Sequence, residues 1–317
     1  MSSSITNAFV QEYSENVYTL AQQKGSKLRN TVTVESGIRG EYAFKDRVGP
    51  VTYNVVINRN GDTPLNSTPF SRRRVQLVGR DWGDLVDTLD KVQMLIDPTS
   101  ATALVAGWTM GRALDDSIIS AFFGTAYANS GLDGTSATTV AFPSANIVDV
   151  TDRSFQDEGN SGIGNSNLSV SKLISARNIM AQNNVDLDNE RPHIAADATS
   201  ISGLMGATPV TSIWYNQVKP LVSGEIDNFL GIDFHRTQLV ITDGRGNSLL
   251  SGGYALLPVW VPSGVYLAIG EDIKARITER PDKRYSYQVY FQMLMGATRL
   301  EEAKVVQLTC DPASKGY

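Results

Sequence analysis

The sequence predicts an α+β fold, and three observations lead to that class. The strongest helical pattern in the chain covers residues 98–126, and residues 285–293 alternate between two faces as a β-strand does. Elsewhere, helical and strand-like segments are interleaved without a regular strand–helix–strand rhythm, which argues against a doubly wound sheet.

The composition narrows the class of protein. The chain has 317 residues, 41% of them hydrophobic, and a net charge of −5, which allows a sizeable core in one or two domains and argues against an obligatory nucleic-acid binder. We expect neither a membrane span nor a secretory signal, because no long apolar run and no basic leader are present. Cys310 is the only cysteine, which excludes a disulfide framework and fits folding in a reducing cytoplasm.

The N-terminal residues carry an amphipathic pattern. Residues 5–24 are predicted to form a helix that ends at Gly25, followed by an arm with strand-like pieces but no core of its own. The apolar stripe of this helix contains Ile5, Phe9, Tyr13, Val17 and Leu20.

Residues 50–80 are predicted to form a long hairpin. A β-branched run, VTYNVVI, precedes a turn signal at residues 60–62, and the return strand carries RRRVQLV. Pro64 and Pro69 indicate an irregular, edge-like stretch. With so few apolar residues the hairpin cannot bury both faces, so we expect it to project from the body.

Two neighbouring blocks of the sequence have opposite charge. Residues 49–80 hold five arginines against Asp62, whereas residues 81–133 hold eight aspartates against Lys91 and Arg112. Such blocks either form solvated faces or meet across a subunit interface, where charge complementarity fixes the register.

The best helix of the chain is predicted to begin at Pro98, with Asp97 as its cap, and to continue to about Ala126. At a rise of 1.5 Å per residue it forms a rod of about 45 Å on which other parts rest. Its apolar stripe contains Ala101, Leu104, Val105, Trp108, Gly111, Leu114, Ile118, Ile119, Phe122 and Phe123.

Shorter elements follow this helix. Residues 129–168 are rich in small polar residues and predict a surface insertion with loops and short strands. A second helix is expected over residues 170–184, with Leu173, Ile174, Met180 and Ala181 on one side. The remaining expectations are a buried strand at 193–197, a turn at 202–206, a helix broken at Pro220, and strands within 224–240 and 254–270.

A tyrosine-rich strand lies near the end of the chain. One predicted face holds Tyr285, Tyr287, Val289, Phe291 and Met293, and the other holds Ser286, Gln288, Tyr290 and Gln292. Because the second face is amphipathic rather than charged, we expect something large and polar to half-cover it, such as another copy of the protein.

The sequence offers no recognisable catalytic or metal site. His193 and His235 are the only histidines; a Ser-His-Asp arrangement using Asp233 lacks a nucleophile elbow, and zinc needs more ligands than the chain has. Residues 186–190 lack the spacing of a calcium loop, and residues 244–246 lack the lysine of a phosphate loop. We expect no enzyme, no cofactor and no metal.

Two function classes therefore compete. An arm, a projecting hairpin, a long rod and aromatic strands are parts that need partners, as in a self-assembling structural protein. The alternative is an enzyme, such as a soluble hydrolase, whose site the sequence does not show.

The order of these parts resembles the major capsid proteins of tailed bacteriophages, which have the Hong Kong 97-type capsid fold. Three segments carry the resemblance, in the order that the family shows: DLVDTLDKVQMLIDPTSATALVAGWTMGRALDDSIISAFFGTA, GEIDNFLGIDFHRT and YLAIGEDIKARITERPDKRYSYQVYFQMLMGATRLEEAKVVQL. Encapsulin-type nanocompartment shells share this fold and are the nearest alternative.

The resemblance implies a division of the chain. We expect an N-terminal arm (1–40), an extended loop (41–80), a peripheral domain with the spine helix and a surface insertion (81–185), an axial domain (186–255), and closing strands of the peripheral domain (256–317).

The resemblance also implies partners: hexamers and pentamers of this chain, a separate scaffolding protein, a portal protein, a decoration or cement protein, and double-stranded DNA enclosed without sequence-specific binding. No scaffold-like coiled coil precedes the arm, so we expect the coat chain to be used near full length. The predicted inter-subunit residues are Phe9, Tyr13, Val17 and Leu20 on the arm, Arg72, Arg73 and Arg74 on the loop, and Asp81, Asp84, Asp87, Asp115 and Asp116 near the spine helix.

Overall fold

A computed structural model describes residues 22–55, 61–63, 65–86, 98–129, 137–152, 164–206, 227–240, 250–251 and 253–314. The helices are α1 (Pro98–Phe123), α2 (Val170–Gln182) and α3 (Ala198–Gly206). The strands are β1 (Thr33–Ser36), β2 (Tyr42–Val48), β3 (Phe70–Gln76), β4 (Val78–Val86), β5 (Ala126–Asn129), β6 (Ala137–Val140), β7 (Ile147–Val148), β8 (His193–Ala196), β9 (Asn228–Phe229), β10 (Ile232–Arg236), β11 (Leu250–Ser251), β12 (Tyr254–Trp260), β13 (Val265–Arg280), β14 (Ser286–Arg299) and β15 (Val305–Cys310). The predicted α+β class is confirmed.

The strands form three sheets. The spine sheet packs on α1 and has the order β1-β13-β14-β4. The large sheet has the order β7-β15-β12-β8-β10-β9, with β11 paired to β12, and it mixes parallel and antiparallel pairs. The hairpin sheet is antiparallel and has the order β2-β3-β5-β6. In the described part of the chain, no helix is long and apolar enough to cross a membrane.

Helix α1 begins at Pro98, as predicted, but ends at Phe123 instead of near Ala126. Its 26 residues therefore span about 39 Å. The helix stops at Gly124, where a Cβ atom would lie 2.5 Å from the carbonyl oxygen of Ser120, and the chain then enters β5.

One face of α1 supplies the centre of the core. This face packs against Val289, Phe291 and Met293 of β14 in one cluster, and burying each large apolar side chain contributes about 1.5–3 kcal/mol. At the end of the helix, the Phe122 ring lies 4.5 Å from the Trp260 ring of β12, so α1 joins the spine sheet to the large sheet. The buried residues of α1 include Ala106, Met110, Leu114, Ile118, Ile119 and Phe122.

The predicted alternation of the tyrosine-rich strand is confirmed in the middle of β14. Val289 and Phe291 are buried, whereas Tyr290 is half-buried on the other face. The partner strand β4 places Trp82 opposite Phe291, with the ring centroids 6.4 Å apart. Tyr285 does not belong to this face, because it precedes the strand in a left-handed conformation and is 60% exposed.

The projecting hairpin is present, but its first strand was predicted in the wrong place. Strand β2, not the run at residues 51–57, pairs with β3, and the described residues 49–55 are not strand. The ladder places opposite charges across the two strands at one position, where Asp46 lies opposite Arg72 and forms an ion pair with it. Cross-strand charge pairs of this kind stabilise an exposed ladder that has little apolar surface.

Two predictions near α2 and α3 were wrong in detail. Residues 202–206 are the last part of α3 and not a turn, because the Asp197 carboxylate accepts the backbone N–H groups of Thr199 and Ser200 and so caps a helix there. Helix α2 has the predicted extent within two residues, but Ala181 is exposed whereas Leu173 is fully buried. The helix predicted before Pro220 lies outside the described residues.

The predicted surface insertion at residues 129–168 is only partly a surface element. Its short strands β6 and β7 join two different sheets, and Val148 and Leu168 lie in the core. The buried Asn146 amide donates to the carbonyl oxygens of Glu302 at 2.5 Å and Val305 at 3.2 Å, which ties the start of β7 to the last strand.

Candidate assembly surface

The extended loop exposes large apolar side chains beyond the β2–β3 ladder. We call the described residues 49–55 and 65–70 the loop tip. Tyr53 is 89% exposed and Leu65 is 95% exposed, and Val51, Val55 and Phe70 are also more than half exposed. Apolar side chains gathered at this density on a projecting segment are typical of a surface that another protein covers.

The two sides of the loop tip are held together by their own polar groups. The Asn54 amide donates to the side-chain oxygen of Asn66 at 2.8 Å, and the Asn66 amide donates to the Thr52 carbonyl oxygen at 2.5 Å. At the base, the Gly49 N–H donates to the Pro69 carbonyl oxygen at 2.8 Å. The tip therefore presents its apolar side chains from a braced backbone, which reduces the ordering entropy lost on binding.

Two of the three predicted arginines lie at the surface of the hairpin, and each has a partner within the chain. Arg72 forms an ion pair with Asp46 at 2.5 Å, which lowers the carboxyl pKa of Asp46. The Arg74 guanidinium lies 4.7 Å from the Tyr42 ring centroid and 5.4 Å from that of Tyr127. These contacts stabilise the hairpin sheet itself.

Arg73 is not available to a neighbouring subunit. It is 1% exposed, forms an ion pair with Glu302 and donates to the Leu300 carbonyl oxygen at 3.2 Å. The prediction that it forms part of a basic docking surface is therefore wrong, because alternation along β3 turns this side chain inward.

Glu302 is the common partner of three arginines, a cluster that we call the Glu302 junction. Arg73 pairs with one of its oxygens, Arg299 lies 3.7 Å from the same oxygen, and Arg47 lies 4.0 Å from the other. Burial is the main cause that lowers the pKa values of Arg73 and Arg299, and the Glu302 carboxylate opposes it. The sequence reasoning missed this cluster, since its members are distant along the chain.

The junction also fixes the end of α1. The Arg299 guanidinium donates to the carbonyl oxygens of Phe122 at 2.6 Å and Gly124 at 3.1 Å. These oxygens lie at the C-terminus of the helix, where the helix dipole favours a cation. The extended loop, the spine helix and the end of β14 are therefore joined through a single cluster in which Arg73 and Arg299 are buried.

The predicted acidic residues do not form one surface. Asp81 and Asp84 are exposed on β4, and Asp116 is half-buried. Asp81 and Asp116 line a shallow cleft of about 330 Å³ together with Arg80 and Arg112, so their surroundings are mixed in charge. Asp87 lies outside the described residues.

Asp115 was predicted as an exposed docking residue, and the structure corrects this. Its side chain is fully buried and both carboxylate oxygens accept hydrogen bonds from the segment that precedes β1. The donors are the Gln23 amide at 2.6 Å, the Ser26 hydroxyl at 2.5 Å, and the backbone N–H groups of Lys27 at 2.9 Å and Leu28 at 3.1 Å. We call this arrangement the Asp115 clasp.

Close packing accompanies the clasp. A Cβ atom at Gly111 would lie 2.6 Å from the Cα atom of Gly25, so only glycine allows the N-terminal segment to cross α1 at this point. Residues 22–24 are not helical. The predicted arm residues Phe9, Tyr13, Val17 and Leu20 lie outside the described residues.

The two histidines form a pair within the large sheet. The Nδ1 atom of His193 lies 3.0 Å from the Nε2 atom of His235, and both rings lie about 6 Å from the Trp260 ring. Burial lowers the pKa of His193, and burial together with the neighbouring His193 lowers that of His235 to about 4. The Trp260 indole donates to the Thr31 carbonyl oxygen at 2.9 Å, so this cluster also contacts the N-terminal segment.

Within the described ranges, no group of three or more His, Cys, Asp or Glu side chains is placed to hold a metal ion. An open cleft of about 740 Å³ lies between α2 and residues 184–188. Asp186 in that loop accepts hydrogen bonds from Asn189, which makes it a structural turn residue.

The chain was compared with known proteins. The comparison with curated protein sequences found no match. Among solved structures, the chain is similar to the capsid of cyanophage P-SCSP1u (TM-score 0.69, 14% identity, covering 96% of this chain and 94% of that one). It is also similar to the capsid of cyanophage Pam1 (TM-score 0.67, 14% identity, 98% of each chain) and to a chain of Mycobacterium phage Che8 (TM-score 0.62, 16% identity, 95% and 97%).

These similarities cover almost the whole chain, and at such low identity they show that it has the capsid fold. The family model for phage capsid protein matches residues 5–312. That match spans the extended loop, the spine helix and the closing strands described above, so the predicted Hong Kong 97-type fold is confirmed, and the chain belongs to the phage capsid protein family.

Proposed function

We propose that this phage capsid protein is the major building block of a tailed-phage head, assembling as hexamers and pentamers into an icosahedral shell around double-stranded DNA. The observation that carries the proposal is the loop tip, whose apolar side chains are exposed within the chain. A second copy of the chain is the partner that a closed shell supplies at every position.

The contact that we propose for the extended loop is mainly apolar. The sequence suggested that arginines dock on aspartates, but Arg73 and Asp115 are buried within the chain. Exposed ion pairs contribute about 0–1 kcal/mol each, whereas covering a large apolar side chain contributes about 1.5–3 kcal/mol. Arg72, Arg74, Asp81 and Asp84 therefore tune the register of an apolar contact.

The domain division and the remaining partners are proposed from the family resemblance. The division into arm (1–40), extended loop (41–80), peripheral domain (81–185 and 256–317) and axial domain (186–255) follows that resemblance. So do a separate scaffolding protein, a portal protein and a decoration or cement protein. The net charge of −5 supports a wall that holds DNA without binding it tightly.

Electron microscopy of the full-length chain, produced with its scaffolding partner, tests this proposal. A Tyr53→Asp/Leu65→Asp variant should lose shells and leave folded, unassembled subunits, because two charges replace the apolar contact. The matched control is Thr52→Asp/Ser67→Asp, which adds the same charges at exposed polar positions of the same loop and should retain shells. Normal shells from the first variant would contradict the loop-tip contact, and a wild-type chain that forms no closed particles under any condition would contradict the function.

A further inference from the structure

A groove beside α3 opens where the described part of the N-terminal segment begins. It has a volume of about 700 Å³ and is lined by Gln22, Gln23, Lys27, Arg112, Ala198, Ile201, Ser202, Met205, Arg236, Thr237, Gln238 and Leu239. We call it the α3 groove. Its apolar wall is formed by Ile201 and Met205 on one turn of α3 and by Leu239 on the facing segment.

The N-terminal segment is fixed at the edge of this groove. The Arg112 guanidinium donates to the side-chain oxygen of Gln22 at 2.9 Å and to the Gln23 carbonyl oxygen at 3.0 Å. The Thr237 hydroxyl donates to the side-chain oxygen of Gln23 at 2.9 Å. Since a residue spans at most about 3.5 Å, Leu20 and Val17 lie within about 7 and 18 Å of Gln22 along the chain, and both can reach the groove.

The charge and the apolar pattern of residues 1–21 are complementary to the charge and the apolar wall of the α3 groove. Among the described residues that line the groove, Lys27, Arg112 and Arg236 are basic and none is acidic, and Arg236 is also paired with Asp227 at 3.1 Å. Residues 1–21 contain the acidic residues Glu12 and Glu15 and no lysine or arginine, and their apolar residues recur at helical spacing. An amphipathic helix of this length is marginal in water without a surface that covers its apolar stripe.

We propose that residues 1–21 dock into the α3 groove of the same chain, with Val17 and Leu20 against Ile201, Met205 and Leu239 and with the acidic side chains toward the basic rim. This placement does not depend on the proposed capsid assembly, because every group that it uses belongs to one subunit.

Two other paths are physically open to the arm. It can continue along α1, where Lys24 already lies 5.3 Å from the Trp108 ring centroid and Leu104 is 48% exposed. It can also reach a second copy of the chain. The groove is favoured because it combines an apolar wall with a basic rim at the point where Gln22 is held.

Disulfide trapping in the full-length chain distinguishes the three paths. A Val17→Cys/Met205→Cys variant should form an intrachain disulfide at a rate on the order of tenfold above that of Val17→Cys/Leu104→Cys. Leu104 is a matched control, since it lies eight residues, or about 12 Å, along α1 from Arg112. The native Cys310 is fully buried, so it should not compete. Equal rates, a faster reaction at Leu104, or a disulfide between two chains would each overturn the proposal.

Hydrogen exchange gives an independent measurement if the cysteine variants fold poorly. In a full-length Val17→Asp/Leu20→Asp variant, the amides of α3 should exchange several-fold faster than in the wild type, with α2 as the internal reference. The control Gln11→Asp/Ser14→Asp adds the same charges on the face opposite the stripe and should leave α3 unchanged. Unchanged exchange in α3 of the first variant, or an equal increase in the control, would refute docking in the groove.

Discussion

The backbone N–H of Leu28 donates to the Asp115 carboxylate at 3.1 Å, which joins the N-terminal segment to the middle of the spine helix α1. Three further donors from residues 23–27 share this carboxylate. Asp115 therefore does not face a neighbouring subunit but holds the first described segment of the chain in place.

Replacing Asp115 by asparagine should lower the free energy of unfolding by about 3–5 kcal/mol, because buried donors lose a charged acceptor and meet an amide NH₂ group instead. Denaturant unfolding of the unassembled subunit measures this loss. Asp84→Asn is the control, since Asp84 is exposed, and it should change the free energy by less than about 0.5 kcal/mol. A similarly small effect at Asp115 would show that the clasp is dispensable.

The Glu302 junction makes a second prediction. Glu302→Gln keeps the size of the side chain but removes the carboxylate that Arg47, Arg73 and Arg299 share. We expect a loss of about 2 kcal/mol or more, because Arg73 and Arg299 are almost fully buried and cannot regain water.

The neighbouring residue provides the matched control for this junction. Glu301 pairs with Lys304 at 3.0 Å but its side chain is half exposed, so Glu301→Gln should cost less than about 1 kcal/mol. Thermal or denaturant unfolding of the two variants, side by side, measures the difference. Equal losses of unfolding free energy in the two variants would mean that burial of the arginines does not strengthen the contribution of their ion pairs.

The histidine pair predicts how stability depends on pH. The pKa values of His193 and His235 are lowered in the folded chain, that of His235 to about 4, whereas an unfolded histidine titrates near 6.5. The unfolded chain therefore binds more protons as the pH falls below about 6.5, and the free energy of unfolding should decrease from pH 7.5 to pH 5. The nearby Asp233 carboxylate opposes this effect, and Lys27 adds to it.

Denaturant unfolding at pH 7.5 and pH 5 measures this slope. Most Asp and Glu side chains stay ionised over that interval, and the chain has no other histidine. A His193→Gln/His235→Gln variant should therefore lose most of the difference between the two pH values. If the variant keeps the wild-type slope, the pair is not the source of the pH dependence.

The periodicity of apolar residues correctly predicted those elements in which buried side chains recur at regular intervals along the sequence. The start of α1 at Pro98, the extent of α2 and the alternation around Phe291 follow from residues that are neighbours in sequence. The first strand of the hairpin was missed because its stability comes from partners some thirty residues away, such as Asp46 and Arg72, and not from an apolar face.

The candidate site was predicted less well, for reasons that individual residues show. Asp115 follows Gly111 by four residues and precedes Ile119 by four, so it lies on the apolar stripe of α1 and a buried position was foreseeable. The Glu302 junction was not, because its arginines come together only where the hairpin sheet and the spine sheet meet the end of α1. The β-branched run at residues 51–57 predicts a strand, whereas its described part, residues 51–55, is an exposed segment of the loop tip.

Cys310 supplies a probe for global unfolding. Its side chain is fully buried in β15, and burial raises the pKa of its thiol to about 12, although the Lys172 ammonium acts against this shift. Because the thiolate is the reactive species, the native chain should resist a thiol reagent at pH 8 and react only when the large sheet opens. An Ala181→Cys variant, with a thiol on the exposed side of α2, should label rapidly at that added position while Cys310 stays protected. Labelling by mass spectrometry separates the two positions, and fast modification of Cys310 in the native chain would show that the end of the large sheet opens without global unfolding.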